Sequence, residues 1–423
     1  MRNVVAVIMA GGKGERLYPL TLDRSKPAVP FGGIYRIIDV TLSNCINSEV
    51  YRILVLPQYK SQSLTDHIEA GWNIFSAPLG HYLRIVHPQK RVGEDWYLGT
   101  ADSVRQNLYL LKRAQASNIL ILSGDHVYKM DYSLFKAFHE EKGADLTIAT
   151  FEIEPRQAKA FGIIEVNESG RIVGFEEKPE QPRVNPQNPD VVYASMGVYI
   201  FKADVLIRIL EESTEKDFGK DILPRMIHSH SVFAYPYKTN NRIRDYIYTT
   251  EESGTRTRVL TEKTRDSTYW RDVGDLDAYW NANMDLTGIE PFFNLYGTQW
   301  PILTYQGTSP PAKMVYASET SENYRVGKAL DSLVSPGCII SGGLIRSSVL
   351  SRDVYVHSWS QVEESVIMSR VEVGRHVKIK KAIVDKENRI PPGTVIGYDP
   401  AEDRKRFTVT PRGIVVVRKG YYS

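Results

Sequence analysis

Val4-Val5-Ala6-Val7-Ile8-Met9-Ala10-Gly11-Gly12-Lys13-Gly14-Glu15-Arg16-Leu17, followed by Ser25-Lys26-Pro27, decides the fold of this chain. The run from Val4 to Ala10 is uninterruptedly apolar and rich in β-branched residues, the pattern of a strand buried on both faces of a parallel sheet. The strand opens directly into glycines. Without a Cβ at Gly11, Gly12 and Gly14, backbone N–H groups beyond Ala10 can approach anionic oxygens closely. Arg16 and Lys26 add cationic donors within reach of the same anion. Two commoner glycine loops are excluded. A P-loop requires Gly-x-x-x-x-Gly-Lys-Ser/Thr, which occurs nowhere in the chain, and the dinucleotide fingerprint requires a third small residue where Leu17 stands. The expected ligand is a nucleoside triphosphate.

Outward from that loop, length and composition narrow the class. The 423 residues exceed what one core organises, so two domains are expected. A net charge of +3 gives no bulk electrostatic case for a nucleic acid or a membrane as partner. The early apolar stretch is too short to span a bilayer, and no charged-then-apolar export signal opens the chain, so a cytoplasmic protein is expected. Cys45 and Cys338 fall in different predicted domains and imply reduced thiols.

To about residue 290, short apolar runs alternate with helical periodicity. Arg52–Leu56, Ile119–Leu122 and Leu146–Thr150 read as strands. Ala101–Gln115 reads as a helix with Val104, Leu108 and Leu111 on one face and an N-cap at Asp102-Ser103, and Asp131–Lys142 as another helix. Strand–helix–strand order predicts a Rossmann-like α/β domain with a mostly parallel sheet, whose ligands gather at the carboxyl ends of its strands. That rule brings Ala10–Arg16, Gln58 and Ser123–His126 into one crevice. From 291 to 325, prolines and polar residues read as a linker. Beyond it aliphatic residues recur about every six positions within three successive runs: Leu333, Ile339 and Ile345; then Val356 and Val362; then Val371, Val377 and Ile383. This period predicts a C-terminal left-handed parallel β-helix over 326–423, with Gly393, Gly397 and Gly413 closing its last turns.

Gly11–Leu17 with Lys26-Pro27 resembles the signature of sugar-nucleotide pyrophosphorylases. Further segments narrow the resemblance to glucose-1-phosphate adenylyltransferases. They are Lys26–Gly33, Arg36-Ile-Ile-Asp39, Trp96–Asp102, Ser123–Tyr132, Phe175–Pro179, Ala194–Gly197, Asp217–Asp221 and Tyr269–Gly274. The similarity runs in order from about residue 4 to about residue 415. It implies transfer of the adenylyl group of ATP to glucose 1-phosphate, with pyrophosphate leaving and Mg²⁺ as cofactor. A sugar phosphate is already anionic at neutral pH and needs no general base, so the protein has to align the reactants and neutralise charge.

Asp125, carried beyond a strand end by Ser123-Gly124, is the first metal candidate and Asp272 the second; both offer the hard oxygens Mg²⁺ prefers. Arg16, Lys26 and Asp125 are the expected catalytic groups. By position-for-position resemblance, Tyr97, Gly162, Glu177, Lys178 and Ser195 receive glucose 1-phosphate, with Lys220 a further phosphate contact. Gln58, Gly99 and Thr100 are expected at the adenine. The resemblance also implies a homotetramer switched by metabolite effectors, acting in glycogen or another α-glucan pathway.

Two stretches depart from the family pattern. Some members carry an activator-binding lysine three positions before the equivalent of Lys26; here Asp23 stands there and would repel an anion, leaving Arg24, Arg52 and Arg84 as candidate cations. Altered or weak fructose-bisphosphate activation is expected. Thr239–Thr268 has no clear family counterpart and reads as a surface excursion. His228 and His230 read as surface residues, and His357 as structural. Two alternatives stay open: a transferase for another base or sugar, and a regulatory subunit that binds without turnover.

Overall fold

The computed structural model describes residues 1–89, 96–184, 189–318 and 324–423. A nine-stranded sheet dominates the amino-terminal part. Its strands are β1 (Val4–Ala10), β2 (Arg52–Pro57), β3 (Tyr82–Ile85), β4 (Asn118–Ser123), β5 (Leu146–Ile153), β6 (Gly162–Val166), β7 (Ile172–Glu177), β8 (Val192–Lys202) and β9 (Val232–Pro236). The spatial order is β7-β6-β8-β4-β1-β2-β3, with β5 joining β8 to β9. Around β1 the sheet is parallel, as its apolar runs predict: Ile8 pairs with Val55 of β2 and with Leu122 of β4. The long β8 runs antiparallel to β4, β5 and β6 and carries the sheet on to the antiparallel pair β6–β7. Helices cover both faces, and two apolar clusters result, one holding Val5, Val7, Ile119 and Ile121, the other Val4, Ala6, Ile8, Leu120 and Leu122. Period-two alternation along β1 and β4 sends successive side chains into opposite layers.

The helix expected over Ala101–Gln115 is two helices, Thr100–Arg105 and Leu108–Ala114. Asn107 breaks it. Its side-chain amide donates to Ser103 O at 2.8 Å, and its own N–H turns to Val104 O. A side chain competing for the carbonyl four residues back tightens the turn locally. Asp102 also acts differently from an N-cap: it lies inside the first turn and reaches back to accept from Leu98 N at 2.8 Å. The apolar face of Val104, Leu108 and Leu111 is buried as expected. The helix expected over Asp131–Lys142 spans Tyr132–Glu141, with Asp131 as its N-cap.

The carboxyl-terminal part is a parallel β-helix of three sheets, consistent with a left-handed one. Successive coils stack Ile345 on Val362 and Val362 on Ile379, all fully buried. The residue in phase on the first of the three sheets is Ile340, not Ile339, because only alternate residues of Ile339–Ser341 face inward, and Ile339 is exposed. Leu333 and Ile383 face the sheet domain, while their neighbours Val334 and Val384 face the coil interior. Pairing starts at Lys313–Val315 on Ile339–Ser341, inside the stretch read as linker; the part of that reading on 319–323 lies outside the described residues. Gly393, Gly397 and Gly413 all take positive φ in the last turns.

The two parts interlock. Arg24 makes a bidentate bond to Asp385 at 2.9 and 3.0 Å, with both side chains buried. Trp280 Nε1 donates to Glu364 O, and Thr410 Oγ1 to Asp277 Oδ1. Cys45 and Cys338 are free and buried. Thr239–Thr268 is a surface excursion only in its middle: the hairpin of Asp245–Thr250 and Arg256–Thr261 is largely exposed, whereas Asn241, Ile243, Asp245, Asp266 and Ser267 at its two ends are buried. Among the described residues no helix is long and apolar enough to cross a membrane.

Candidate active site

The two aspartates singled out in sequence, 147 positions apart, meet at the end of the sheet. Asp125 follows β4, and the short strand His126–Tyr128 after it pairs antiparallel with Trp270–Asp272, setting Asp272 opposite His126. Lys26 Nζ lies 2.9 Å from Asp125 Oδ2 and 2.9 Å from Asp272 Oδ1, with little of its side chain exposed. Burial pulls the Lys26 pKa down, but the charges and hydrogen bonds of Asp125 and Asp272 outweigh it, so the ammonium form is reinforced. Burial likewise pushes Asp125 up, and Lys26, His126 and the Ser123 hydroxyl overcome that and hold it well below the usual carboxylate range. Asp125 is therefore an anionic oxygen donor at neutral pH, and Asp272 shares the same ammonium with it.

Two carboxylates on one side of a cation site are the protein share that Mg²⁺ takes, substrate phosphates and water filling the rest. The donor set fits. A dedicated cage is absent: among the described residues no cluster of three or more acidic, His or Cys side chains is placed to hold a metal.

The glycine loop curls over this centre. Gly14 takes φ 65°, the left-handed region, and a Cβ there would stand 2.9 Å from Thr21 Cγ2 and 3.1 Å from Lys26 Cβ. A Cβ on Gly12 would meet nothing within 4 Å, so that backbone faces open space. Arg16 is exposed, and its guanidinium flanks Gly274 together with Asp272: a Cβ on Gly274 would be 3.2 Å from Arg16 Nη2 and 2.8 Å from Asp272 Oδ2. Gln58 packs against Gly11 and donates to Tyr97 O at 2.7 Å, tying the loop to the 96–100 segment. Tyr97 itself is buried, its hydroxyl donating to Val86 O and accepting from Asn107. Its backbone therefore lines the site while its phenol is engaged within the fold.

A second cluster adjoins the first. Thr100 Oγ1 donates to Asp217 Oδ2 at 3.1 Å and accepts from Phe218 N, and Asp217 Oδ1 accepts from Lys220 N. Gly99 packs directly on the Lys216 backbone. The Glu177 carboxylate lies between Gly162 and Gly219, where a Cβ would stand 3.0 and 2.9 Å from Oε2. Lys178 follows it with φ 50°, a sparsely populated conformation for a lysine, and pairs with Glu177 at 3.0 Å. Lys220 is exposed at the same rim. Ser195 on β8 lies 3.3 Å from Tyr199 Oη and accepts from Gly197 N, and Gly197 packs on Ser123 and His126, joining this cluster to the aspartates.

The candidate effector cations do not converge. Arg24 is consumed by Asp385, Arg52 donates to the carbonyls of Val4, Ala114 and Arg2, and Arg84 lies over the Tyr82 ring on β3. His228 and His230 lie at and just past the end of helix Leu223–Ser229, and His357 is 2.8 Å from Glu372 on the β-helix. Sequence reasoning gave no role to His126, whose Nε2 is 3.6 and 3.7 Å from Asp125 Oδ1 and Asp272 Oδ1 and whose Nδ1 is buried without a partner. Nor did it give one to Asp217. Both stand inside quoted motifs, so the signal was present without the contacts.

A strand-to-glycine loop over a paired-aspartate, cation-lined rim defines a nucleotidyl transferase. The family model described as "Nucleotidyl transferase" matches residues 5–288, and one described as "GlmU-like, C-terminal hexapeptide" matches 310–417. Among curated relatives, "Glucose-1-phosphate adenylyltransferase" of Koribacter versatilis is 47% identical, covering 100% of this chain and 96% of the relative. Those of Rhodopirellula baltica and Methylococcus capsulatus are 47% and 46% identical, covering 99% and 98% of this chain and 91% and 93% of the relatives. The chain belongs to the glucose-1-phosphate adenylyltransferase family.

Proposed function

We propose that the protein transfers the adenylyl group of ATP to α-D-glucose 1-phosphate, releasing pyrophosphate and ADP-glucose for α-glucan synthesis. The observation that carries this is the convergence of Asp125 and Asp272 on Lys26 beneath the glycine loop. The backbone of Ala10–Gly14 receives the triphosphate, and Arg16, exposed beside Gly274, neutralises the departing pyrophosphate. Gln58, Gly99 and Thr100 border the adenine. Glu177 accepts from sugar hydroxyls, Lys178 and Lys220 hold the sugar phosphate, and Gly162, packed on Phe175 and Glu177, and Ser195 border it; Tyr97 shapes this wall through its backbone. Lys26 offsets negative charge at the α-phosphate. Asp125 and Asp272 would hold Mg²⁺, which when bound neutralises phosphate charge. Alignment and fixed charge do the rest, since the attacking phosphate is already an anion.

Metabolite effectors and a homotetramer complete the proposal. With Asp23 in place of a lysine and Arg24 buried against Asp385, fructose-bisphosphate activation is altered or weak. Pyrophosphate release from ATP and glucose 1-phosphate, compared with UTP, dTTP and GTP, tests the reading. Turnover with another nucleotide only, or binding without turnover, overturns it.

A further inference from the structure

Helix α1 (Ile37–Asn47) is buried from Ile37 to Cys45, yet it carries polar residues through its whole length. They sort into two stripes. Asp39, Ser43 and Asn47, four residues apart, meet the 300–304 segment: Thr304 Oγ1 donates to Asp39 Oδ2 at 2.6 Å, Leu303 N to Ser43 Oγ at 2.8 Å, and Asn47 Nδ2 to Pro301 O at 2.9 Å. Thr41, Asn44 and Ser48, the last just past the helix, meet the chain around Asp125. Thr41 Oγ1 donates to Ser123 O at 3.0 Å, and Ser48 Oγ accepts from Tyr132 N. Residues three and four apart share a helix face, so both stripes are continuous.

Asn44 alone touches both neighbours. Its Nδ2 donates to Tyr128 O at 2.9 Å, while its Oδ1 accepts from Met130 N at 3.2 Å and from Trp300 Nε1 at 3.0 Å. Tyr128 O and Met130 N bracket the end of the short strand that carries His126 and pairs with Trp270–Asp272. A flipped amide would set oxygen against oxygen and NH₂ against two donors, so the three partners fix one orientation.

We propose that Asn44 is a positioning residue for nucleotidyl transfer: it holds the His126–Tyr128 strand, and through its ladder Asp272, in register with Asp125, and Trp300 fixes its amide. The proposal rests on the assignment of the two aspartates to that reaction. Trp300 stands in the segment that runs on to the first β-helix strand at Lys313, so the spacing of the acids is set partly from outside the sheet.

Trp300→Phe in the full-length protein keeps a buried ring and removes one donor. The kcat for ADP-glucose formation falls about tenfold, as sub-ångström misplacement of reacting groups does, with KM for both substrates within about twofold. Mn²⁺ affinity in the presence of ATP, read by electron paramagnetic resonance, weakens in parallel. Asn47→Ala removes one bond between the same segment and the same helix without reaching the strand, and leaves kcat and Mn²⁺ affinity unchanged. Asn44→Asp keeps the acceptor but loses the bond to Tyr128 O, and lowers both quantities further than W300F. Unchanged kcat and Mn²⁺ affinity in W300F, or an equal loss in N47A, overturns the proposal. Absence of ADP-glucose formation by the unaltered protein overturns the functional reading instead, and the Mn²⁺ measurement still decides on Asn44.

Discussion

Replacing Asp125 by Asn removes one charge and almost no volume, so its effect reports the electrostatics of the site. Asp125 now shares Lys26 with Asp272, at 2.9 Å each, and accepts from Ser123. A unit charge about 4 Å from a phosphate or its counter-ion is worth ~4 kcal/mol at an effective dielectric constant of about 20. Loss of one preorganised charge contact costs about 10²–10³ in rate, ~3–4 kcal/mol, and the two routes agree. D125N therefore lowers kcat by about 10²–10³. It folds, because Lys26 keeps Asp272 as its counter-charge. The double variant D125N/D272N is different: the buried ammonium loses both partners, a loss of the kind that costs about 3–5 kcal/mol of stability. Pyrophosphate-release kinetics and thermal denaturation on D125N, D272N and the double variant separate the effects. Wild-type kcat in D125N, or a double variant as stable as either single one, refutes the reasoning.

Arg24→Met leaves Asp385 buried without its bidentate partner between the two parts of the chain and destabilises the protein by about 3–5 kcal/mol, read by denaturant unfolding; a change within measurement error contradicts this. Gly14→Ala forces a Cβ against Thr21 at positive φ and shifts Lys26, raising KM for ATP and lowering kcat; a variant with unaltered kinetics shows that the loop is not where ATP binds. Lys386 has its pKa lowered to about 7 by burial, with Arg36, Arg24 and Arg370 adding repulsion against the attraction of Asp385. Its proton is lost earlier in the folded than in the unfolded chain, so the unfolded state binds more protons and stability rises from about pH 7 towards pH 10. Lys386→Met flattens that rise in melting temperature, and an unchanged profile dismisses Lys386 as its source.

The local rules read from the sequence hold where one principle acts alone. Val4–Ala10 is apolar at every position, and only a strand covered on both faces tolerates that. The glycine loop and Ser123-Gly-Asp-His predict that glycine backbone and an acid meet at one end of the sheet, and the structure places Gly14 against Lys26 and Lys26 against Asp125. Reading fails where a side chain competes with a backbone pattern. Asn107 is polar at a position a helix accepts, and nothing in its spacing reveals that its amide takes the Ser103 carbonyl. Ile339 and Ile340 are equivalent by composition; only the pleat of a short strand chooses between them. Arg24 looked like a free cation because its partner, Asp385, lies in the other part of the chain.

The same reason explains α1. Thr41, Ser43, Asn44 and Asp39 give a helix with no clean apolar stripe, yet it is buried. Burying such groups unpaired would cost several kcal/mol. Asp39 alone accepts from Arg36 N, Trp72 Nε1 and Thr304 Oγ1 and lies 2.7 Å from His67 Nε2. Fully satisfied, a polar helix adds little net stability over an apolar one but admits one placement, because a shift by one residue would break every bond together. An apolar α1 could slide against the chain around Asp125 at small cost. A polar one cannot, and a site whose two acids come from strands so far apart in sequence requires that rigidity.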